Sequence, residues 1–289
     1  MRPLLRPPTR ARLARGRRHP SFAIGGALTI LMLGAAALAA VWTPHPIDGV
    51  DPLARLAAPS LAHPLGADHF GRDVLSLILA GAQTSVTVGL IAVGLGLGVG
   101  APLGLAAAMR RGRPLDAAIG RTTDLIFAFP AVLTAVLIAA VYGPGAINAI
   151  VAIGIFNIAV FARVARGAAI GVAARPFVAA AAAIGRTRAQ IAVIHVAPNI
   201  AGVLIVQATI QFAVAILAEA GLSYLGLGVQ PPQPSWGKML ADAQTYMFSH
   251  PLQAVFPGLA IMLAVLGLNL FGDGLRDALD PRLKTLRLG

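Results

Sequence analysis

The chain has 289 residues, of which 57% are hydrophobic and 12% are charged, and its mean hydropathy is +0.78. This composition is too apolar for a soluble domain and predicts an integral membrane protein. The formal net charge of +12 comes from basic residues between long apolar runs, which indicates membrane topology and not a nucleic-acid-binding surface. The chain has no cysteine, which excludes disulfides, thiolate metal sites and a cysteine nucleophile.

The first predicted elements are a basic tail and a membrane span. Residues 1–20 carry seven arginines, which is typical of a disordered tail or of a segment lying on an anionic membrane. The uncharged stretch from Phe22 to Val41 is long enough to cross the hydrocarbon and longer than a signal-peptide core. We predict an uncleaved signal anchor here, with cleavage near Ala37 and Ala39 as the alternative.

The segment from Trp42 to Leu75 is polar and rich in proline, which predicts a loop on the far side of the membrane. Within it, HPLGADHFGRDVLS (residues 63–76) resembles a segment of ATP-binding-cassette (ABC) importer permeases of the dipeptide, oligopeptide and nickel branch. Four residues of this segment are possible metal ligands: His63, Asp68, His69 and Asp73. Their spacing matches no usual ligand motif, so we expect a loop held by hydrogen bonds and no metal site.

The second predicted span, Thr84 to Ala108, is rich in glycine. Five of its glycines alternate or recur at four-residue intervals: Gly94, Gly96, Gly98, Gly100 and Gly104. Such a ridge lets another helix approach closely, although glycine is also a general component of membrane helices. Both interpretations stay open at this point.

Two more spans are predicted before residue 175. The third runs from Ile119 to Val141 and contains DLIFAFP, which also resembles the permease family. Pro130 should kink this helix, and Asp124 is expected to pair with Arg121 or another basic loop residue. The fourth span covers residues 147–162.

Residues 175–198, RPFVAAAAAIGRTRAQIAVIHVAP, are a cationic segment between two apolar spans. The alanine-rich residues 177–184 predict a helix, Gly185 its end, and Thr187 the cap of a second helix that reaches Pro198, where a new span begins. The spacing of residues 179–181, Gly185, His195 and Pro198 resembles the "EAA" loop of ABC importer permeases. Ala179 stands where that family usually has glutamate.

This resemblance implies that residues 175–198 form a coupling loop that docks into a cleft on an ATPase subunit. The implied coupling residues are Arg175, Ala179, Ala180, Ala181, Gly185, Arg186, Arg188, His195 and Pro198. In this interpretation Ala180, Ala181 and Gly185 permit close docking, and the three arginines pair with acidic residues of the ATPase.

The fifth predicted span, residues 200–220, carries Gln207, Gln211 and Glu219, which are costly against lipid and should face protein or a water-filled path. For Glu219 we keep two interpretations: a residue of the translocation path, or a hydrogen bond at a helix end near the outer interface. The segment from Ala215 to Leu240 resembles the same permease branch, and its prolines and glycines predict an outer re-entrant or surface loop. The last span, residues 254–271, precedes GDGLRDALDPRL, which resembles the family's C-terminal segment.

Basic residues fall unequally on the two sides of the six predicted spans. Twenty lie on the side of the termini and the hairpin, and the other side has Arg55, Arg72 and Lys238. The positive-inside rule therefore predicts that both termini are cytoplasmic. We predict four segments in a bacterial or archaeal inner membrane: a cytoplasmic tail (1–20), a first span with an extracytoplasmic loop (21–75), a permease domain (76–275) and a second cytoplasmic tail (276–289).

The sequence thus predicts an all-α protein with six transmembrane helices that resembles the type I fold of importer permeases, C-type subunit. It contains no Gly-x-x-x-x-Gly-Lys-Ser/Thr motif, so we expect no bound cofactor here and assign ATP and magnesium to partner ATPases. The resemblance implies four partners: a homologous second permease, two ATPases and an extracytoplasmic substrate-binding protein. We expect contact with lipid and none with nucleic acid. The alternatives are a membrane scaffold without transport and a membrane-embedded enzyme that uses Asp124, His195 and Glu219.

Overall fold

The computed structural model describes residues 20–279, and most of them are helical. In chain order the helices are α1 (Pro20–Ala39), α2 (Val74–Met109), α3 (Pro114–Ala128), α4 (Ala131–Tyr142), α5 (Ala146–Ala173), α6 (Pro176–Ala183), α7 (Arg188–Tyr224), α8 (Trp236–Ala243) and α9 (Leu252–Leu279). Among the described residues the only bridge of β type joins Ala67 and Asp73. Residues 1–19 and 280–289, which hold most of the two predicted tails, lie outside the described range.

Between residues 20 and 279, five helices are long and apolar enough to cross a membrane: α1, α2, α5, α7 and α9. The pair α3 and α4 passes the same test together and supplies the sixth span if it is counted as one. The predicted all-helical, multi-pass architecture is therefore confirmed.

The predicted kink at Pro130 is a full break in the helix. Helix α3 ends at Ala128, α4 begins at Ala131, and their axes differ by 83°. Phe129 is extended, as expected for the residue before a proline, and Pro130 has no N–H to continue the hydrogen-bond ladder.

Helix α2 begins at Val74, ahead of the predicted start at Thr84. The reason is local: the Asp73 carboxylate accepts a hydrogen bond from the Ser76 backbone N–H at 2.8 Å and caps the helix. The helix therefore starts at the end of the segment predicted as a loop, and the mostly apolar residues 74–83 belong to the span.

Helix α7 was predicted as two pieces separated near Pro198 and is one helix of 37 residues. A π-helical stretch, Ile191–Val196, ends two residues before the proline. Pro198 removes one donor from the ladder, and the wider π turn is one way in which a helix accommodates such a residue without ending.

Two other helices were also predicted too short, and one loop was predicted too long. Helix α5 continues past Ala162 to Ala173, and α9 continues past Phe271 to Leu279. The segment predicted as a loop from Ala215 to Leu240 is irregular only between α7 and α8. The α5 extension carries Arg163 and Arg166, which pair with acidic residues of α3, so it is not visible as an apolar run.

The glycine ridge on α2 lies against α5, so the close-packing interpretation is confirmed for three of its members. A Cβ atom on Gly100 would stand 2.3 Å from the Ile158 carbonyl oxygen, and one on Gly104 would stand 2.1 Å from that of Ala162. Gly96 is equally crowded, whereas Gly94 and Gly98 face open space. The backbones of α2 and α5 thus touch where no side chain fits between them.

Candidate functional site

The hairpin predicted at residues 175–198 is present as α6, a glycine turn and the start of α7. Gly185 has φ +86°, which a glycine adopts without steric cost. Its N–H donates to the Ala182 carbonyl at 3.0 Å, and the Arg186 N–H donates to the Ala181 carbonyl at 3.2 Å. This pair of bonds is the Schellman pattern, which satisfies the last carbonyls of α6.

The second half of the turn is fixed by Thr187. Its hydroxyl accepts a hydrogen bond from the Gln190 N–H at 3.3 Å, and the Gln190 side-chain oxygen accepts one from the Thr187 N–H at 3.0 Å. This capping box starts α7 at Arg188. Both ends of the turn are therefore specified by its own residues, and the predicted helix–turn–helix is confirmed.

One face of α6 packs inward against the rest of the chain. Val178 and Ala181 are buried in a cluster that also includes Val172, Ile191 and Ile200. Ala181 therefore faces the interior, at variance with its predicted place in a docking contact. The alanine lies at 5% exposure and holds α6 close to α7.

The opposite face of the hairpin is open. Ala179, Ala180, Gly185 and Pro198 are exposed, and Ile184 is 78% exposed. Three arginines are exposed and form no ion pair with the described part of the chain: Arg175, Arg186 and Arg188. His195 is half-buried, and its ring lies 6.4 Å from that of Phe177.

A second group of predicted residues forms a polar chain between α7 and α5. The Gln207 amide donates to the Gln211 side-chain oxygen at 3.3 Å, and the Gln211 amide donates to the Asn157 oxygen at 2.6 Å. Gln211 and Asn157 are buried, and Gln207 is half-buried. The expectation that these glutamines face protein and not lipid agrees with this arrangement.

Glu219 is fully buried and is held by two serine hydroxyls. Ser85 on α2 donates to one carboxylate oxygen at 3.0 Å, and Ser223 donates to the other at 2.7 Å. Ser223 in turn accepts a hydrogen bond from the Val229 N–H at 3.0 Å. This burial within a single chain favours the hydrogen-bonding interpretation of Glu219 over a role in lining a path.

Two ion pairs tie α3 to α5. Asp124 was predicted to pair with Arg121 or another basic loop residue, and its partner is Arg163. Asp116 accepts two hydrogen bonds from Arg166 at 2.6 and 3.0 Å. The pairs border a cavity of about 540 Å³. Arg163 was assigned to a loop because the fourth span was predicted to end before it.

The three acid–base candidates of the enzyme alternative do not meet. Asp124 pairs with Arg163, His195 lies beside Phe177, and Glu219 bonds two serines. No hydrogen bond or ion pair among the described residues joins any two of the three.

Sequence reasoning missed Ser85 and Asn157, whose partners lie 134 and 54 positions away in the chain. Both stand in otherwise apolar spans, and a polar side chain inside a span is itself a signal. It also missed His45, which lies outside the motif that contains His63 and Asp73.

This fold, with a capped polar hairpin at one end of a bundle of membrane helices, is that of an importer permease. The family model described as "Binding-protein-dependent transport system inner membrane component" matches residues 100–285. The chain belongs to this family. It is a permease subunit of an importer, as the sequence predicted.

Similar curated proteins are transport permeases. The "Dipeptide transport system permease protein DppC" of Alkalihalophilus pseudofirmus is 46% identical over 235 residues, which cover 81% of this chain and 77% of that protein. The "Glutathione transport system permease protein GsiD" of Escherichia coli O157:H7 is 41% identical and covers 92% of this chain and 88% of that protein. The homologue of the same name in Pectobacterium atrosepticum is 39% identical over 93% of this chain and 89% of that protein.

A solved structure shares the fold. It is an inward-facing structure of the MetNI methionine ABC transporter, with a TM-score of 0.56 and 19% identity, covering 71% of this chain and 97% of the matched chain. At this identity the likeness concerns the fold alone.

Proposed function

We propose that this permease imports short peptides or peptide-like solutes and takes its energy from partner ATPases through the hairpin at residues 175–198. The observation that carries the proposal is the exposed face of that hairpin. It presents the apolar Ile184 beside three arginines that have no partner in the described chain. A surface with an apolar centre and unpaired cations suits a protein cleft lined by acidic residues.

In this proposal Arg175, Arg186 and Arg188 pair with acids on the ATPase, and Ala179, Ala180 and Gly185 allow close approach. Nucleotide binding draws the two ATPases together, and the permease responds as a two-state element. His195 and Pro198 lie on α7, where the hairpin joins the membrane-spanning part of that helix. Gln207, Gln211 and Glu219 set the packing of the membrane helices that must move.

The proposed assembly has a homologous second permease, two ATPases that bind ATP and magnesium, and an extracytoplasmic substrate-binding protein. The test is co-expression with candidate ATPases and purification through a tag on this chain. Both ATPases should be retained, and the purified single chain should show no ATP hydrolysis. Hydrolysis by the rigorously purified single chain would contradict the proposal.

The proposed orientation places both termini and the hairpin in the cytoplasm, because twenty basic residues fall on that side and three on the other. Reporter fusions after residue 20 and at the C-terminus should both behave as cytoplasmic. An extracytoplasmic C-terminus would show that one span was miscounted.

The proposed substrate class follows from relatives that are named for dipeptide and glutathione transport. The test is to identify the ligand that co-purifies with the binding protein and to measure uptake of that ligand. Recovery of a nickel chelate, or of a solute with no amide bond, would overturn the peptide assignment and leave the permease class unchanged.

A further inference from the structure

The loop between α1 and α2 gathers three possible metal ligands that are far apart in sequence. His45, His63 and Asp73 each offer one ligand atom, and these three atoms lie within 4.8 Å of one another. The His63 Nδ1 atom is 3.1 Å from one Asp73 oxygen, and the His45 Nδ1 atom is 3.7 Å from the other. The two imidazole rings lie 4.7 Å apart, with an angle of 35° between their planes.

The His45 Nδ1 atom is buried and makes no hydrogen bond with the described residues. A buried polar atom without a partner is rare in folded proteins and calls for an explanation. The atom points toward His63 and Asp73, so a cation between the three groups would satisfy it. The hydrogen bond between His63 and Asp73 leaves the His45 Nδ1 atom without a partner.

Neighbouring serines hold the three groups in place. Ser76 donates its hydroxyl to an Asp73 oxygen at 2.7 Å, and the same hydroxyl accepts the His45 backbone N–H at 3.0 Å. The Ser60 hydroxyl accepts the His63 backbone N–H at 3.1 Å. Hydrogen bonds of this kind, made by residues around a site, orient metal ligands and tune their affinity.

We propose that His45, His63 and Asp73 form a site for a divalent transition-metal ion of the zinc class. Two imidazoles and one carboxylate with an open fourth position are a common zinc ligand set. Magnesium and calcium prefer oxygen ligands, so a site with two imidazole nitrogens should bind them weakly. Zinc bonds of about 2.0–2.2 Å require ligand atoms that are closer together than 4.8 Å, so the side chains must close slightly on the ion. The His45 side chain is 41% exposed, which gives the ion a route from solvent.

The bound ion would link the segment after α1 to the start of α2. The site lies outside the hairpin and the polar chain, so it does not depend on how the permease is driven. The neighbouring His69 and Asp68 take no part in it: the His69 ring stacks on that of Tyr246, and Asp68 pairs with Arg72. The expectation of no metal site rested on the spacing within residues 63–76, which omitted His45.

The test uses the full chain, purified in detergent with its tag removed and stripped with a chelator. Zinc is titrated by calorimetry, and bound metal is counted after gel filtration. We expect one zinc per chain and a melting temperature that rises with zinc and not with magnesium. His45→Ala should weaken binding by at least the 10- to 100-fold range known for changes around metal sites.

His45 is the best ligand to remove because its ring makes no hydrogen bond that folding would lose. His45→Asn is the second variant, since it keeps a side chain against His63 if alanine lowers the yield. His250→Ala is the matched control: a partly buried histidine near α9 that is outside the cluster. Equal zinc binding by the wild type and both His45 variants would overturn the proposal, as would loss of binding in His250→Ala alone.

Discussion

Replacing Gly185 by valine should impair the hairpin more than removing any of its charges. Gly185 has φ +86°, and an added Cβ would meet no atom within 4 Å. The cost is therefore conformational and not steric crowding by neighbours. A β-branched residue in this region of backbone space is strained by about 1–3 kcal/mol. If docking requires this turn, affinity for the ATPases should fall about 5- to 150-fold.

The assay is retention of both ATPases by the tagged permease, with membrane abundance and uptake measured in parallel. Gly143→Val is the control for general strain, because Gly143 has φ +83° and open space but lies in the turn between α4 and α5. Its ψ of 166° is a conformation that essentially only glycine adopts, so valine there should be strained at least as much as at position 185, and the ATPases should be kept. Gly185→Asn should retain more binding than the valine variant, because asparagine tolerates positive φ better.

Arg186→Ala and Arg188→Ala each remove one charge from the hairpin, and their effects are compared with that of Gly185→Val. If their partners on the ATPase stay exposed to water, each loss should cost only about 0–1 kcal/mol. The reasoning fails if Gly185→Val inserts normally and keeps both ATPases and uptake. It also fails if Gly143→Val releases the ATPases to the same extent, because general strain would then explain the result.

Three further predictions concern the bundle. Gly104→Ala should destabilise the chain by about 1–3 kcal/mol, because its Cβ would lie 2.1 Å from the Ala162 carbonyl oxygen. Gly98→Ala, in open space, should leave stability unchanged, and thermal unfolding in detergent compares the two variants. Glu219→Ala should cost about 1–3 kcal/mol for each serine hydroxyl left without an acceptor, and Glu219→Gln should cost less; an unchanged melting temperature for Glu219→Ala would contradict this. Arg166→Ala should lower the melting temperature more than Arg163→Ala, because Asp116 is buried and Asp124 is 73% exposed.

The hairpin was predictable because its determinants are local. Gly185 and Thr187 act on backbone groups within a few residues, and their capping roles follow from residue type and position. The same holds for the break at Pro130. Helix caps and proline breaks depend on the residue type at one position and on backbone groups a few residues away, so they can be predicted from the sequence.

The partners of buried polar groups were not predictable. Glu219 meets Ser85 across 134 positions, and Gln211 meets Asn157 across 54. Such pairs are decided by which helix faces pack together, and the hydropathy of one chain does not specify that. The C-terminal end of α5 was missed for a related reason, because the helix continues past Ala162 into a segment whose arginines, Arg163 and Arg166, pair with acidic residues of α3.

The continuity of α7 bears on how the hairpin and the bundle are connected. A break near Pro198 would have let the hairpin tilt without disturbing Gln211 or Glu219. The structure instead has one helix from Arg188 to Tyr224, so the capped turn and the buried polar groups share one element. Gln211 lies about 35 Å from Arg188 at 1.5 Å per residue. The π-helical stretch Ile191–Val196 is the one irregular turn between them, and any bending there would reduce the movement that α7 transmits.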